Sequence, residues 1–471
     1  MLTTNWYQRF SFAAKRVRPC DDGAMRHAAL LVLAAAVCVR GPSTAKSWDA
    51  SRCESRNLSQ RVEAVRAGPK RKVLVTGAAG FIGSHVAEYT SKVLGFETVA
   101  VDDLSGGFIR NVPDGLAFVN VDLKEAEDVA SLFETHGPFD YVYHLAAYAA
   151  EGLSHFIRRF NYRNNLEVTA SLINQAVIGK VKCFVFTSSI AAYGNPATLP
   201  FIEETPQQPE DPYGVAKLAA EYDLKAAHSM FGSEYVIFLP HNVYGPKQNL
   251  ADKFRNAVGI FLNQIMKGEH MTIFGDGGQM RAFSYIDDVA PLIALAPEVP
   301  AARQQSFFIG SDQKYSVLEL SERAAKAMGV EHRVTHLEKR KEVELAYARH
   351  DKLHCFFNPP PAVDLDEGLA RTAAYAKKMG SFSPTGYQHI EVWDQMPSSW
   401  AKALKAWEAD ALKAQAVPYG LDRPDALLLL VLAVYVLVAY GCGPLQRMCG
   451  GGARLRARRR TPKAKLRARR V

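Results

Sequence analysis

One stretch of thirteen residues constrains the fold of this chain more than any other: a short apolar run followed by a turn with three glycines (VLVTGAAGFIGSH, residues 73–85). The run predicts a buried β-strand, and the apolar periodicity after the turn predicts a helix. A glycine turn at this point bares the backbone N–H groups of the helix N-terminus, which suit a diphosphate. The spacing is G-x-x-G-x-x-G rather than the more common G-x-G-x-x-G, so an ordinary strand–turn–helix is the alternative.

A second predicted strand ends in an acidic residue. Asp102 follows residues 97–101 and lies 25 positions after Gly77. A carboxylate there can accept hydrogen bonds from both ribose hydroxyls of NAD and repels the 2′-phosphate of NADP. No Arg or Lys adjoins it, so the sequence favours NAD. A solvated turn aspartate is the alternative.

Composition excludes several classes of protein. With 471 residues, of which 48% are hydrophobic and 22% charged, the chain is globular and long enough for a large core or two domains. Its seven scattered cysteines form no C-x-x-C pair and indicate neither a disulfide framework nor a metal site. The net charge is +9, but the last 25 residues hold 11 Lys and Arg and no acid, which leaves −2 for the rest. The body is therefore not a nucleic-acid binder.

Residues 1–69 are predicted to be a targeting segment and linker. Basic residues precede an apolar run of 12, residues 28–39, which suits a secretory signal peptide. The acids Asp21 and Asp22 are unusual there, so an organellar transit peptide is the alternative. Asn57 opens an N-x-S sequon in the linker.

Residues 425–443 are predicted to be one transmembrane helix. Residues 426–443 carry no charge, and 18 helical residues span about 27 Å. A buried core helix is the alternative. The basic tail, 444–471, favours a cytosolic C-terminus. With a signal peptide, the chain becomes a single-pass protein of the endoplasmic reticulum or Golgi with a lumenal body; a plastid is the alternative location.

Between Lys72 and about Asp410, strand and helix patterns alternate, which predicts an α/β fold with a doubly wound parallel sheet. We predict a dinucleotide-binding domain over 70–245 and a smaller substrate-binding lobe over 246–412. The predicted strands are 72–76, 97–101, 117–120, 140–143, 182–187 and 234–239.

A tyrosine and a lysine four residues apart are the candidate catalytic pair. Tyr213 and Lys217 share one face of a predicted helix. A nearby ammonium and the positive nicotinamide ring would lower the tyrosine pKa and allow it to act as a base. Ser189 follows a predicted strand, where its hydroxyl could bond the reacting oxygen. A solvated helix face and a strand-capping serine are the alternatives.

Taken together, these motifs resemble those of the extended short-chain dehydrogenases/reductases, most closely the NAD-dependent nucleotide-sugar epimerases of the UDP-glucose 4-epimerase type. The resemblance covers about residues 72–380. The matching motifs are TGAAGFIG (76–83), VDDLS (101–105), VDL (121–123), HLAA (144–147), TSS (187–189), YGVAK (213–217), PHNVYGP (240–246) and RAFSYIDDVA (281–290).

The resemblance implies a Rossmann fold, NAD as the cofactor, a UDP-sugar substrate, a homodimer in many members, and a role for each matching position. The residues implied to bind NAD are Gly77, Gly80, Phe81, Ile82, Gly83, Asp102, Asp122, Leu123, Leu145, Ala146, Ala147, Asn164, Tyr213 and Lys217. The residues implied to bind substrate are Ser189, Asn242, Asn256, Phe274, Arg281, Arg340 and Glu342. Ser189, Tyr213 and Lys217 are the implied catalytic residues.

The resemblance also separates reaction classes. Dehydratases and decarboxylases of the family carry acids after the strand-end Thr, whereas this chain has Ser189, Ile190 and Ala191. The implied reaction is 4-epimerisation through a 4-keto sugar, with UDP-glucose and UDP-galactose as the first candidates. UDP-glucuronate or a UDP-pentose is the second candidate, although Glu151 counts against an acidic sugar. A catalytically silent, membrane-tethered NAD-binding scaffold is the alternative of another class.

Overall fold

The alternating pattern folds as predicted in the computed structural model of the chain, which describes residues 48, 51, 53, 55–195, 198–252, 254–339, 343, 345–382 and 389–415. The strands are β1 (Lys72–Thr76), β2 (Glu97–Asp102), β3 (Ala117–Asn120), β4 (Tyr141–His144), β5 (Cys183–Thr187), β6 (Tyr235–Pro240), β7 (Val243–Tyr244), β8 (Met271–Phe274), β9 (Met280–Ala282), β10 (Ser284–Tyr285), β11 (Gln305–Ile309), β12 (Lys314–Ser316), β13 (Val334–Leu337) and β14 (Leu345–Ala346).

The helices lie between these strands and flank them. They are α1 (Leu58–Ala67), α2 (Phe81–Glu88), α3 (Ala126–His136), α4 (Glu151–Ser154), α5 (Arg158–Tyr162), α6 (Val168–Ile178), α7 (Pro212–Phe231), α8 (Ala257–Met266), α9 (Ile286–Leu295), α10 (Val317–Met328), α11 (Asp351–Phe357), α12 (Leu365–Met379) and α13 (Ser398–Gln415). The chain divides into two compact units. The first holds residues 1–385 and 389–394, and the second holds residues 386–388 and 395–471, which include α13.

The central sheet has seven parallel strands in the order β11-β6-β5-β4-β1-β2-β3. All six predicted strands are confirmed, each within one residue of the predicted bounds. The order reverses between β1 and β4, both of which pair with neighbours on either side. In a doubly wound sheet, the ligand crevice opens at this switch point, beyond the carboxyl ends of the strands.

Both faces of the sheet are buried, which explains the unbroken apolar runs. Along β1, Val73 and Val75 join one core cluster, and Leu74 joins the cluster on the opposite face. Strand side chains alternate between faces, so a strand covered on both sides must be apolar at every position. All three side chains are fully buried.

The seventh strand comes from the region predicted to be the substrate lobe. β11 pairs in register with β6, from Gln305 opposite Val236 to Ile309 opposite Pro240. The remaining strands of that region form small sheets in which β9 pairs with β12 and β14, β8 with β13, and β7 with β10. The region predicted to be the substrate lobe is therefore joined to the main sheet through β11.

The cysteine prediction is wrong for one pair. Cys53 and Cys355 form a disulfide across 302 residues of sequence, with their Cα atoms 4.7 Å apart. The same contact is reinforced by Arg61, whose Nη2 donates to the carbonyl oxygen of Phe356 at 2.7 Å. The disulfide therefore fixes the segment that contains α1 to α11, which cysteine spacing alone could not reveal.

We expect Cys355→Ser to lower the free energy of unfolding by about 2–4 kcal/mol, because the disulfide limits the freedom of the unfolded chain. Urea unfolding with and without a reductant measures the loss. Reductant should destabilise the wild type and leave Cys355→Ser unchanged. Equal effects of reductant on both proteins would show that the bond does not form.

Within the described ranges, no helix has both the length and the apolar character needed to cross a membrane. The predicted span 425–443, the basic tail 444–471 and the signal-like run 28–39 all lie outside the residues that the structure describes.

Candidate active site

The glycine turn between β1 and α2 has the shape of a cradle for a diphosphate. Gly77 has a φ of +70°, and a Cβ there would lie 2.7 Å from the backbone nitrogen of Ala146. A Cβ on Gly83 would lie 2.0 Å from the carbonyl oxygen of Gly77. Side chains are thus excluded at both positions. Gly80 is the N-cap of α2 and supplies no side-chain cap, so the N–H groups of Phe81 and Ile82 face outward from the helix start.

Asp102 is the acid that faces this turn. Its Oδ2 accepts a hydrogen bond from the N–H of Ala79 at 3.0 Å, and its Oδ1 accepts one from the N–H of Leu104 at 2.8 Å. Burial raises the pKa of this carboxyl, and the two N–H donors oppose that change. The neighbouring Asp103 instead pairs with Lys124 at 3.1 Å. Of these two neighbouring acids, only Asp102 faces the glycine turn, so Asp102 is the one placed to bind the adenosine ribose as predicted.

We expect Asp102→Ala to weaken NAD binding by about 10- to 100-fold, because hydrogen bonds to a charged group are lost. Its preference for NAD over NADP should fall as well, since the repulsion of the 2′-phosphate is removed. Titration with both dinucleotides measures this, and Asp103→Ala is the matched control. Equal affinity of the native protein for NAD and NADP would contradict the assignment.

The two residues predicted near adenine differ in their surroundings. Asp122 pairs with Lys124 at 2.8 Å and is 41% exposed, whereas Leu123 is buried in the core beside the sheet. Lys124 also pairs with Asp103, so this lysine is neutralised by two acids at the edge of the cofactor cleft. Sequence reasoning missed Lys124 because its pair with Asp103 forms only when β2 and β3 come together.

The loop after β4 is tied to the glycine turn. The hydroxyl oxygen of Thr76 accepts hydrogen bonds from the N–H groups of Leu145 and Ala146, each at 3.2 Å. Thr76 also contacts Nδ1 of His144 at 2.8 Å, and burial lowers the pKa of His144 to about 3, so this ring is neutral. The predicted nicotinamide-binding loop thus lies directly beside the predicted diphosphate cradle.

The asparagine that holds this loop is Asn165. Its Oδ1 accepts from the N–H of Tyr148 at 3.0 Å, and its Nδ2 donates to the Tyr148 carbonyl at 3.1 Å. The predicted residue, Asn164, donates instead to the carbonyl oxygen of Phe160 in the preceding helix at 2.8 Å. A π-helical turn, Arg163–Glu167, separates α5 from α6 and sets which asparagine faces the loop.

The three predicted catalytic residues come together at the carboxyl end of β5. Tyr213 and Lys217 lie on α7, and both are buried. The Nζ of Lys217 donates to the carbonyl oxygen of Thr187 at 2.9 Å and lies 5.7 Å from the centre of the Tyr213 ring. Ser189 follows β5; its hydroxyl accepts a hydrogen bond from the N–H of Ala191 at 3.1 Å and lies close enough to the Tyr213 phenol to act on its pKa.

The protein groups around Tyr213 act against the lowering of its pKa that was predicted with the positive nicotinamide ring in place. Burial raises the pKa of the phenol, and the carboxylate of Glu151 raises it further. The hydroxyl of Ser189 and the guanidinium of Arg255 act in the opposite direction. Burial also lowers the pKa of Lys217 to about 7. Residue spacing places the ammonium on the correct face but carries no information about the cost of desolvation.

A buried carboxylate one turn beyond the lysine was missed by sequence reasoning. Glu221 lies four residues after Lys217 on α7 and is 1% exposed. The hydroxyl of Ser188 donates to its Oε1 at 2.5 Å, and Nε2 of Gln207 donates to its Oε2 at 3.0 Å. Glu221 therefore links α7 to the end of β5. The sequence did contain a signal for it: Tyr213, Lys217 and Glu221 follow one another at intervals of four residues, which places all three on the same side of a helix.

The predicted substrate residues are only partly brought together. Nδ2 of Asn242 donates to the Ala282 carbonyl on β9 at 3.0 Å, and Nδ2 of Asn256 donates to the Val243 carbonyl on β7 at 2.5 Å. The strand that carries Arg281 thus adjoins Asn242. The guanidinium of Arg281 donates to the carbonyl oxygens of Met280, at 2.9 Å, and Val343.

Of the other predicted substrate residues, Phe274 ends β8 and is partly buried. Arg340 and Glu342 lie outside the described residues.

A parallel sheet with a dinucleotide cradle at its switch point and a Tyr–Lys pair two strands away is the arrangement of an extended short-chain dehydrogenase/reductase. Consistent with this class, the model of the NAD dependent epimerase/dehydratase family matches residues 73–310. The UDP-glucose 4-epimerase of Mycolicibacterium smegmatis is 31% identical over 313 residues, which cover 64% of this chain and 98% of that protein. The chain therefore belongs to the NAD dependent epimerase/dehydratase family.

Two solved structures are similar over nearly their whole length. The UDP-glucose 4-epimerase of Thermotoga maritima, crystallised with UDP-glucose, has a TM-score of 0.62 and 31% identity, and the match covers 65% of this chain and 99% of that one. The UDP-glucuronic acid 4-epimerase of Bacillus cereus, crystallised with UDP-glucuronic acid and NAD, has a TM-score of 0.60 and 29% identity, with coverage of 65% and 99%. The chain is thus an enzyme of the epimerase type, and its cofactor is NAD, as predicted.

Proposed function

We propose that this enzyme interconverts the 4-epimers of a UDP-sugar, with UDP-glucose and UDP-galactose as the substrate pair. The observation that carries the proposal is the grouping of three buried residues at the end of β5: Tyr213, Ser189, and Lys217, whose Nζ lies 5.7 Å from the centre of the Tyr213 ring. The relatives named as UDP-sugar 4-epimerases support both the reaction and the class of substrate.

The residues that would hold NAD fit the molecule. Gly77 and Gly83 leave room where a Cβ would collide with backbone, and Asp102 offers a buried carboxylate at the end of β2. When bound, NAD supplies the hydride acceptor and donor for the sugar C4 and a positive ring that favours the Tyr213 phenolate. Because the same cofactor is regenerated in each turnover, it should stay bound.

Tyr213 moves the proton in this mechanism. Its phenolate takes the proton of the sugar 4-hydroxyl while C4 is oxidised. The hydroxyl of Ser189 forms a hydrogen bond with the same sugar oxygen. The 4-keto sugar then turns its other face towards the cofactor while its diphosphate stays anchored. Tyr213 returns the proton to O4 as C4 is reduced, which gives the epimer. Lys217 stabilises the phenolate with its charge and fixes its position through Thr187.

The turn after β5 favours epimerisation over elimination. Ser189 is followed by a 3₁₀ turn, Ile190–Tyr193, which carries no acid. Elimination of water needs a proton donor and a base beside C5 and C6 of the sugar. No acid occupies the turn, so oxidation and reduction at C4 are the chemistry that these residues support.

UDP-glucuronate is a second candidate substrate because of one observation. The guanidinium of Arg255 interacts electrostatically with Tyr213, and a cation near that tyrosine would favour an acidic sugar. Glu151 interacts with the same tyrosine and opposes the binding of an acidic sugar. A catalytically silent NAD-binding scaffold is disfavoured because the three catalytic residues are all present and buried at the same strand end. They are Ser189, Tyr213 and Lys217.

Incubation of the purified full-length protein with UDP-glucose, UDP-galactose, UDP-glucuronate and UDP-xylose tests the proposal. Chromatography of the products should show interconversion of glucose and galactose forms without added NAD. Turnover of UDP-glucuronate alone would move the assignment to the second candidate. No turnover of any of the four would overturn it.

We further propose that residues 425–443 span the membrane once and that the catalytic body lies in the lumen of the endoplasmic reticulum or Golgi. The uncharged segment and the basic tail after it support this topology. The Cys53–Cys355 disulfide supports it independently, because such bonds persist in oxidising compartments. Protease added to intact microsomes should trim the tail and spare the body, and a digested body would place the enzyme in the cytosol.

A homodimer is the proposed assembly. The helix α7 carries three large apolar side chains that are each more than half exposed, those of Tyr222, Met230 and Phe231. Large apolar side chains grouped on one helix are often covered by a partner. Sedimentation analysis of the purified protein distinguishes a dimer from a monomer.

A further inference from the structure

An arginine that the family resemblance does not assign lies beside the catalytic tyrosine. Arg255 is in the loop between β7 and α8, and its side chain is 27% exposed. Its guanidinium opposes the rise that burial causes in the pKa of Tyr213, and the phenol, after Asp252, helps to raise the pKa of Arg255. The two side chains are therefore close enough for an electrostatic interaction.

Two contacts fix the orientation of the guanidinium. Its Nε donates to Oδ2 of Asp252 at 2.5 Å, and Asp252 also accepts from the N–H of Phe254 at 2.9 Å. Its Cζ lies 4.6 Å from the centre of the Tyr148 ring. Tyr148 is itself held by both backbone hydrogen bonds to Asn165. The side chain is thus positioned in advance by elements on two sides.

The terminal nitrogens of Arg255 face the loop that follows β2. A Cβ on Gly106 would lie 3.5 Å from Nη2. The next residue, Gly107, packs on the diphosphate cradle, where a Cβ would lie 2.6 Å from the carbonyl carbon of Ala79. Within the described part of the chain, only the Nε of Arg255 has a hydrogen-bond acceptor, namely Asp252. The planar terminal N–H donors of Arg255 therefore remain available, with Nη2 beside Gly106 in the loop next to the cradle.

We propose that Arg255 is an anion-binding residue of the active site that takes two oxygens of a phosphate or a carboxylate. This inference rests on the proposed function, since the anion is supplied either by the diphosphate of NAD or by an acidic sugar nucleotide. The guanidinium fork matches such oxygen pairs in a bidentate contact. The closeness of Gly106 and Gly107 to the cradle favours the cofactor diphosphate as the source.

The test compares Arg255→Met and Arg255→Lys with a control, Arg333→Met. Arg333 is likewise paired with one acid, Glu331 at 2.8 Å, but is 61% exposed. Lysine keeps the charge and most of the length but loses the planar fork, so Arg255→Lys should fold even if Arg255→Met does not. Dissociation constants for NAD, UDP-glucose and UDP-glucuronate are measured by titration of NAD-free protein, with one ligand at a time so that no turnover occurs, and thermal unfolding checks the fold.

If the cofactor supplies the anion, Arg255→Met should raise the dissociation constant of NAD by about 10- to 100-fold, with a smaller rise for Arg255→Lys. If an acidic sugar supplies it, UDP-glucuronate binding should weaken by a similar factor while NAD and UDP-glucose binding stay unchanged. Constants within threefold of those of Arg333→Met for all three ligands would overturn the inference. Because binding is measured without turnover, this failure is distinct from a failure of the epimerase assignment.

Discussion

Tyr213→Phe should reduce epimerisation by at least about 10³-fold while the protein still binds NAD. The substitution removes a single oxygen from a buried ring, so the packing of α7 should survive and only the proton acceptor is lost. A positioned acid–base group contributes about 10²- to 10⁴-fold to rate. Conversion of UDP-galactose to UDP-glucose measures the loss, and NAD titration shows that the cofactor site is intact.

Tyr222→Phe is the matched control for this variant, because it removes the same oxygen from the same helix at a position that is 61% exposed. It should retain wild-type activity. If Tyr213→Phe keeps more than a few per cent of that activity, Tyr213 is not the base.

Lys217→Met should reduce activity by at least about 10²-fold and also weaken NAD binding, because one buried ammonium both stabilises the phenolate and lies at the predicted nicotinamide ribose. Lys225→Met is the matched control on the same helix, where the side chain is 39% exposed and pairs with Glu221 at 3.8 Å. If Lys217→Met retains wild-type turnover, the lysine is only structural.

Lys217→Met should also change how the free energy of unfolding depends on pH. Burial lowers the pKa of Lys217 to about 7, against a usual value of 10.5. Between these two values, the unfolded chain binds a proton that the folded chain does not, so this group makes stability rise with pH over that window and contributes no slope below about pH 7. In Lys217→Met that contribution should be absent. Urea unfolding of NAD-free protein from pH 6 to pH 10 measures the difference.

Local patterns predicted the sheet well because five of its first six strands are buried at nearly every position and read as apolar runs; the exception is the edge strand β3. The Gly77–Gly83 turn and the Tyr213–Lys217 pair were likewise visible, since both depend on fixed short spacings. β11 was not predicted, because Gln305–Ile309 lies where the strand–helix alternation breaks down. Its partner, β6, is distant in sequence.

The errors and omissions of the sequence analysis share a physical cause: each feature depends on contacts made in the folded chain that local sequence patterns do not report. The Cys53–Cys355 bond joins residues 302 positions apart. The pKa of Tyr213 follows from burial, which a helical spacing does not report. The choice between Asn164 and Asn165 depends on a π-helical turn that shifts the helix face. Arg255 was missed because only the folded loop brings it to the catalytic tyrosine.

The central claim is that C4 of a UDP-sugar is oxidised and reduced within one site. UDP-glucose labelled with deuterium at C4 tests it most directly when it is incubated with the full-length enzyme in ordinary water. The account predicts UDP-galactose with the deuterium retained at C4, as seen by mass spectrometry and NMR, because the hydride leaves and returns without exchange. Loss of the label to solvent, or a product inverted at another carbon, would contradict it.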